Sequence, residues 1–423
     1  MNILILGGHQ LDHMPYHDWL LYEENNLFVF MDEEEVEKTC SHISQNIWEK
    51  YQLIKKYKNY FINGQVELDA IELHRKYKID RIVSFRELEI LRAAKLRDYL
   101  GIPGQRFDSA LVFRDKVKMK EVALRGGLKT PAFSPIKMVT DLHRFIETHG
   151  YPVFVKPIAA AGSVNARALR SEADLRNFVE FNLAGDIRGN GYTQSYHVEK
   201  YVEGDFFNVD GVVVRGELVM CSPGRYNAHA DMENIGINGY WSSTMFDRDS
   251  SVRRRLVSYI DKLLKVLPTP QNTVFHSEVF IDRDGEITLC EIAVRPPGGG
   301  MWTALNHAFN IDILKLAVTL QWNPDLVDAD TLKQKNAVVP MLTGSILLSP
   351  KEAVFRTAVK ACPLDGVIKY DVLAKENVSY SGGKNSCDAA AIFVIKGTSD
   401  QDLRETVKCC VDWFWKNSLW EQA

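Results

Sequence analysis

HSEVFIDRDGEITLCEIAVRPPGGG, residues 276–300, holds two short apolar runs joined by Asp284-Gly285, and each run carries one glutamate, Glu278 or Glu291, in an otherwise strand-like setting. Asp-Gly between alternating apolar residues is a strong local signal for a two-residue hairpin loop. With Asp284 and Gly285 as that loop, Glu278 falls directly opposite Glu291. Side chains alternate along a strand, so His276, Glu278 and Phe280 are expected to share a face with Leu289, Glu291, Ala293 and Arg295. Two carboxylates about 4 Å apart repel by roughly 4 kcal/mol at an effective dielectric of about 20, so a cation is expected between them. Magnesium suits such a pair, because it is commonly shared between one or two carboxylates, waters and the phosphates of a substrate. On the hairpin alone, a solvated face with both glutamates in water remains the alternative.

The composition is that of a globular chain: 423 residues, 46% hydrophobic and 25% charged, enough for several compact units. A formal net charge of −4 and the lack of a basic tract argue against nucleic acid or a membrane surface as the main partner, which leaves small molecules. The seven cysteines include no CxxC and no Cys/His cluster with zinc spacing, so neither a disulfide framework nor a structural zinc is expected. MNILILGG lacks a basic leader, and no apolar run reaches the roughly 18 residues of a membrane helix, so a cytoplasmic protein is expected.

From the N-terminus, NILILGG reads as a buried strand, followed by helical patterns at 67–77 and 87–100 around a short strand at 80–84, an α/β unit. The glycines after the first strand do not form GxGxxG, so a nicotinamide enzyme is disfavoured. GIPG at 101–104 marks a boundary, and SALVFRDKVKMKEVALRGG is expected as one helix. Next come a helix, DLHRFIETHG, and a strand, YPVFVKP, along which Lys156 points opposite to Val153 and Val155. Small residues follow, including Gly162 and Ser163, where backbone N–H groups could approach a phosphate; a plain surface turn beside a snorkelling lysine is the other option. YTQSYHVEKYVEGDFFNVDGVVVRGELVMCSP reads as strands broken at Gly204, Asp210-Gly211 and Arg215-Gly216, and Glu199, Lys200 and Val202 could offer an acceptor and a donor to a base such as adenine. The remainder is β-rich and ends in an amphipathic helix with Val407, Val411, Phe414 and Trp415 on its apolar strip.

In order, FRDK (113–116), YPVFVKP (151–157) with GSVNA (162–166), VEKYVEGD (198–205), HSEVF (276–280) and EIAVRPPGGG (291–300) resemble the nucleotide and metal motifs of the ATP-grasp carboxylate ligases, which join a carboxylate to an amine or thiol. The resemblance spans about residues 1–320. It implies an α/β, in places α+β, ATP-grasp fold: an N-terminal α/β pre-ATP-grasp domain (1–105), a small subdomain (106–195), a large subdomain with hinge and metal hairpin (196–330), and a closing lobe (331–423) similar to those of amino-acid and carbamoyl-type ligases. By the same resemblance Lys116 and Lys156 hold ATP phosphates, and Gly162 and Ser163 lie in the loop that closes over them. Glu199, with Lys200, stands beside the adenine and Val202 contacts it through its backbone. Glu278 and Glu291 bind magnesium, with manganese as a substitute, and Arg295 steadies the transferred phosphoryl group. Two positions depart from the family pattern: Ala293 replaces a common extra metal ligand, and Phe206 stands where a ribose-binding acid is usual, leaving Asp205 as a substitute. Gly298 and Gly299 fit a place where backbone N–H groups meet a substrate carboxylate, and Arg225 and His229 are candidate substrate contacts.

The expected activity is ATP-dependent ligation of a small carboxylate, an amino acid in the first instance, to an amine, with ADP and phosphate released. Two alternatives stand: transfer to the phosphopantetheine thiol of an acyl carrier protein, and a nucleotide-binding protein without catalysis. The resemblance also leaves a homodimer open.

Overall fold

The computed structural model describes residues 1–9, 11, 14–40, 45–183, 195–227, 239–339, 341–383 and 388–422. NILILGG forms β1 (Asn2–Gly8), which lies inside a parallel sheet with β2 (Asn26–Asp32), β3 (Leu53–Tyr57) and β4 (Arg81–Val83), ordered β3-β2-β1-β4. A parallel strand covered on both faces needs apolar residues at successive positions. Ile3 and Ile5 accordingly enter one core cluster and Leu4 and Leu6 another. The helices expected beside this sheet are α1 (Gln65–Tyr77) and α2 (Ile90–Leu100).

The single helix expected after GIPG is two. Phe107–Val112 ends before Asp115, whose side chain accepts from the N–H groups of Val117 and Lys118 and starts α3 (Lys116–Arg125). Lys116 thereby becomes the first residue of a helix. An antiparallel sheet follows: β5 (Phe133–Ile136), β6 (Val153–Pro157), β7 (Arg167–Leu169) and β8 (Tyr196–Lys200), ordered β5-β8-β6-β7, with α4 (Val139–His149) and α5 (Glu172–Asn182) packed against it. Val153 and Val155 are buried in its core, and Lys156 emerges on the other side of β6.

The largest sheet holds β9 (Gly204–Val214), β10 (Glu217–Tyr226), β11 (Tyr240–Met245), β12 (Thr273–Asp282), β13 (Ile287–Ala293) and β14 (Leu342–Leu348). After them come β15 (Glu352–Ala358), β16 (Val367–Val372), β17 (Val378–Ser381), β18 (Ala391–Gly397) and β19 (Ser418–Glu421). The order is β13-β12-β9-β10-β11-β14-β18-β16, so three strands of the 331–423 segment continue this sheet, while β17-β15-β19 make a small sheet of their own. Helices α6 (Ser251–Val266), α7 (Met301–Phe309), α8 (Ile313–Trp322) and α9 (Asp400–Lys416) complete the elements used below. On α9, Val407, Val411 and Phe414 are buried and Trp415 packs partly buried against the same cluster.

Two turns differ in an instructive way. Arg215 and Gly216, with φ of 51° and 80°, form the two-residue loop between β9 and β10. Asp210-Gly211, also expected to break the chain, runs straight through β9: a Cβ on Gly211 would lie 2.3 Å from the Met220 carbonyl and 2.6 Å from the Phe275 ring. That glycine is there for close packing.

The decisive hairpin carries a correction. Near its turn Ile281 faces Ile287, and the Gly285 N–H, at φ 77°, donates to the Asp282 carbonyl (2.9 Å), so the loop has three residues, Arg283 to Gly285. That slip alone would have set Glu278 against Cys290. A bulge at Cys290 restores the register: Val279 faces Leu289, and Glu278 faces Glu291. Cys290 and Glu291 consequently both reach the cavity side, whereas Leu289, expected there, is buried in the opposite core with Val279 and Ile292.

Candidate active site

A cavity of about 600 Å³ opens where the three larger sheets meet. It is lined by Lys116 at the head of α3, Lys156 on β6, Gly162 and Ser163 after it, Glu199, Lys200 and Val202 at the end of β8, Glu278 on β12, Glu291 on β13, and Arg295, Gly298 and Gly299 beyond β13. Twelve of the residues singled out from sequence are thus gathered at one place.

Asp205 and Arg225 are not among them. β9 turns Phe206 into this cavity, so Asp205, its neighbour on a pleated strand, lines a second cleft together with Arg225. The ribose and substrate contacts expected of these two residues therefore fall outside this cavity. Lys200 needs a partial correction: it lines the cavity, but its ammonium donates to the carbonyls of His149 (2.6 Å) and Gly150 (3.3 Å) at the end of α4, outside the lining. His229 lies outside the described residues.

The charges are tightly interlocked. Lys116 Nζ donates to the Ala160 carbonyl (2.7 Å) and meets Glu291 Oε2 at 3.1 Å. Lys156 Nζ is 3.3 Å from Glu199 Oε2. Burial opposes the charge on Lys156, yet the anionic Glu199 and Glu291 hold its pKa above the ordinary lysine value. Burial likewise disfavours ionised Glu291, but Lys116 and Lys156 outweigh it and draw the carboxyl down to about 2. Gly162 and Ser163 have successive positive φ values, 65° and 59°, so the loop turns sharply where it lines the cavity that Lys116 and Lys156 also line.

Several participants were not singled out from sequence. Lys120, four residues after Lys116 and so on the same face of α3, is fully buried with Nζ 2.9 Å from Glu199 Oε1. His197 Nε2 meets the same oxygen at 2.8 Å; burial holds this imidazole neutral, near pKa 4, so Nε2 carries the donated hydrogen. Glu199 therefore meets two ammoniums and an imidazole, and neither of its side-chain oxygens is left as a bare acceptor for a base. Glu87, from the loop after β4, accepts from Arg295 Nε (2.5 Å) and from Arg114, which ties the N-terminal sheet to the end of β13. The helical spacing of Lys120 was available in the sequence; the pairing of Glu87 with Arg295 spans 208 positions and had no local signal.

Glu278 accepts from the Tyr226 hydroxyl at 3.2 Å and lies 3.7 Å from His276 Nε2. His276 Nδ1 is 2.6 Å from Asp210 Oδ1, and Asp210 in turn accepts from Asn208. Burial works against a charged imidazole here, but Asp210 prevails and lifts His276 to about 9. An unfolded histidine titrates near 6.5, so this contribution to stability is complete below pH 6.5 and is lost as pH rises through 9. Denaturant unfolding at a series of pH values should show stability falling over that window, and Asp210→Asn should flatten the fall.

Residues 149–304 match the ATP-grasp domain family. The chain carries an ATP-grasp domain. It is 26% identical over 259 residues to the L-arginine-specific L-amino acid ligase of Bacillus subtilis, an alignment that covers 60% of this chain and 61% of that protein. It is 22% identical over 381 residues to the alanine–anticapsin ligase of Bacillus amyloliquefaciens, covering 81% of this chain and 78% of that protein. The solved L-amino acid ligase of Bacillus licheniformis superposes with a TM-score of 0.76 at 14% identity, over 100% of this chain and 99% of that one, so the ATP-grasp fold extends along the whole chain.

Within the ATP-grasp domain, Glu278 and Glu291 fit a magnesium site. They face each other across a ladder, both line the cavity, and Lys116 and His276 already answer part of their charge. Among the described residues no group of three or more His, Cys, Asp or Glu forms a self-sufficient metal cage. Two carboxylates that need phosphate oxygens and water to complete a shell are the donor set that magnesium accepts. No described helix is long and apolar enough to cross a membrane.

Proposed function

We propose that the protein is an ATP-dependent ligase that converts the carboxylate of an amino acid to an acyl phosphate and transfers the acyl group to an amine, giving an amide, ADP and phosphate. The observation that carries this reading is the convergence of Lys116, Lys156 and Arg295 on the facing carboxylates Glu278 and Glu291. Amino acids as substrates are supported by the names of the relatives, L-amino acid ligases among them.

A carboxylate is a poor acyl donor because oxide is a very poor leaving group. Attack of a carboxylate oxygen on the γ-phosphorus forms a new P–O bond and breaks the one to ADP, which turns that oxygen into a phosphate leaving group. The amine then adds to the carbonyl carbon, the C–O bond to phosphate breaks, and the nitrogen gives up a proton. Phosphoryl transfer asks for position and for neutralisation of spreading negative charge. Lys116 and Lys156 hold the phosphates, and Arg295 stabilises the moving phosphoryl group and then the acyl phosphate. Magnesium or manganese bound by Glu278 and Glu291 would add further positive charge at the phosphate oxygens. Val202 stands at the edge where a base would lie, and backbone N–H groups near Gly298 and Gly299 receive the substrate carboxylate. Glu87, holding Arg295 and Arg114 together, is a positioning residue. The Gly162–Ser163 loop excludes water from the acyl phosphate.

The test is ADP release over a panel of amino acids, singly and in pairs, with and without hydroxylamine. Amino-acid-dependent ADP release with a trapped hydroxamate is the expected result. No turnover with any carboxylate would leave nucleotide binding alone, and hydroxamate formation without any dipeptide or other amide would move the acceptor from an amine to a thiol.

A further inference from the structure

The face of the eight-stranded sheet beside α9 is apolar on β14 and β18, where Ile346, Leu348, Phe393 and Ile395 join one core with Val407 and Val411, but it turns polar at its β10–β11 end. Arg225 on β10 stands opposite Phe207 on β9 and Thr244 on β11, and Ser242 lies on the same side of β11 as Thr244. With Arg404 and Lys408 of α9 these residues bound a cleft of about 290 Å³. The guanidinium carbon of Arg225 sits 5.7 Å from the ring centre of Phe207 and 5.3 Å from that of Phe246, so two rings hold the fork in place. Its Nε is buried and has no hydrogen-bond partner among the described residues.

The charges do not cancel. Arg404 is answered by Asp400 at 2.6 Å. Arg225 and Lys408 have no carboxylate within 4.0 Å among the described residues, and the only acid bounding the cleft is Asp205. Among the described residues, two unpaired cations against one carboxylate leave a single positive excess. Arg225 is half-buried, so donors of its guanidinium left without an acceptor carry a cost, and its planar fork matches two oxygens of one carboxylate or phosphate. The volume suits a small molecule.

We propose that this cleft is a second binding site, for a small molecule that presents a carboxylate or phosphate to Arg225, with Lys408 at the mouth. It is separate from the ATP cavity, sharing none of Lys116, Lys156, Glu291 or Arg295. The partition between the two is Phe206 and Tyr226, which line both, and the Tyr226 hydroxyl donates to Glu278. An occupant of the cleft therefore touches a residue bonded to the metal-site carboxylate.

The experiment is titration of the full-length protein with inorganic phosphate and, separately, with succinate, followed by calorimetry. Saturable binding of at least one probe is expected, and the probe that binds identifies the source of the oxyanion. Arg225→Gln should weaken that binding by about tenfold or more, as loss of a charge-assisted pair does, and Lys408→Gln by several-fold. Lys116→Gln, altered in the ATP cavity, should keep the binding that Arg225→Gln and Lys408→Gln weaken, whatever phosphate it loses at the ATP cavity. Arg225 packs against two rings, so Lys408→Gln, an exposed position, decides the matter if Arg225→Gln does not fold. Absence of saturable binding of both probes overturns the proposal, as does a loss that follows Lys116→Gln while Lys408→Gln binds normally.

Discussion

Glu291→Gln is expected to lower ATP-dependent turnover by about a thousandfold or more while the protein stays folded. Glutamine keeps the size of the side chain and can still accept a hydrogen bond from Lys116, so the change removes charge and little else. That charge is present at any working pH, because Lys116 and Lys156 overcome burial and hold the carboxyl near 2. With it gone, one of the two oxygen donors able to hold a divalent ion is lost. The cationic set that receives phosphate is untouched, so nucleotide affinity should change much less than the rate. Glu291 keeps about a quarter of its side-chain surface exposed, and stability should shift little. ADP release, nucleotide titration and a thermal melt on the same preparation check all three statements. Turnover near that of the unaltered protein would remove the two-carboxylate metal site from the mechanism, and Glu278→Gln should reproduce the loss if the site is real.

Local signals were legible where local forces decide. β1 declares itself by an unbroken apolar run, β6 by the alternation that sends Lys156 away from Val153 and Val155, and α4 by its terminal glycine. The pairing of Glu278 with Glu291 was also expected, but by way of a two-residue loop. The chain reaches it through a three-residue loop and a compensating bulge at Cys290, and one of these without the other would have turned a carboxylate away from the cavity. A bulge answers to packing on both faces of the sheet, here Leu289 against one core and Cys290 against the cavity, and no short stretch of sequence shows both. The same limit explains Asp205 and Arg225. Their chemistry suited a nucleotide or substrate, but the strand phase around Phe206 sends them to another cleft. Glu87 and Lys120 went unnoticed because their partners, Arg295 and Glu199, are brought near only by the assembled sheets. The ordered set of loose motifs supplied what local reading lacked, since their succession constrains the three-dimensional arrangement that each alone leaves open.

Glu199→Gln is expected to destabilise the fold by about 3 to 5 kcal/mol, more than any change at the cavity surface. The Glu199 carboxylate is almost wholly enclosed, with Lys120 at 2.9 Å and Lys156 at 3.3 Å, and both lysines are buried. Replacing it leaves two ammoniums in a low-dielectric interior with no anion between them, and that uncompensated charge, rather than the lost pair itself, produces the cost. The direction with pH distinguishes this account from simple misfitting. In the unaltered protein burial opposes ionised Glu199, but Lys120 and Lys156 hold it well below the ordinary carboxylate range. Its contribution is thus present above the unfolded value near 4.3 and is lost as pH falls below it. In the variant, Lys120, which burial already holds below its ordinary value, loses its counter-charge and releases its proton in the folded state sooner than in the unfolded chain. The folded form then binds fewer protons, so stability should rise with pH toward 10, more steeply than in the unaltered protein. Lys120→Met should cost less, because Glu199 keeps Lys156 and the Nε2 hydrogen of His197. Denaturant midpoints for the three proteins at pH 5, 7 and 9 measure these differences; a Glu199→Gln variant within about 1 kcal/mol of the unaltered protein at pH 7 would mean that water reaches both lysines and that the ion cluster is not sealed.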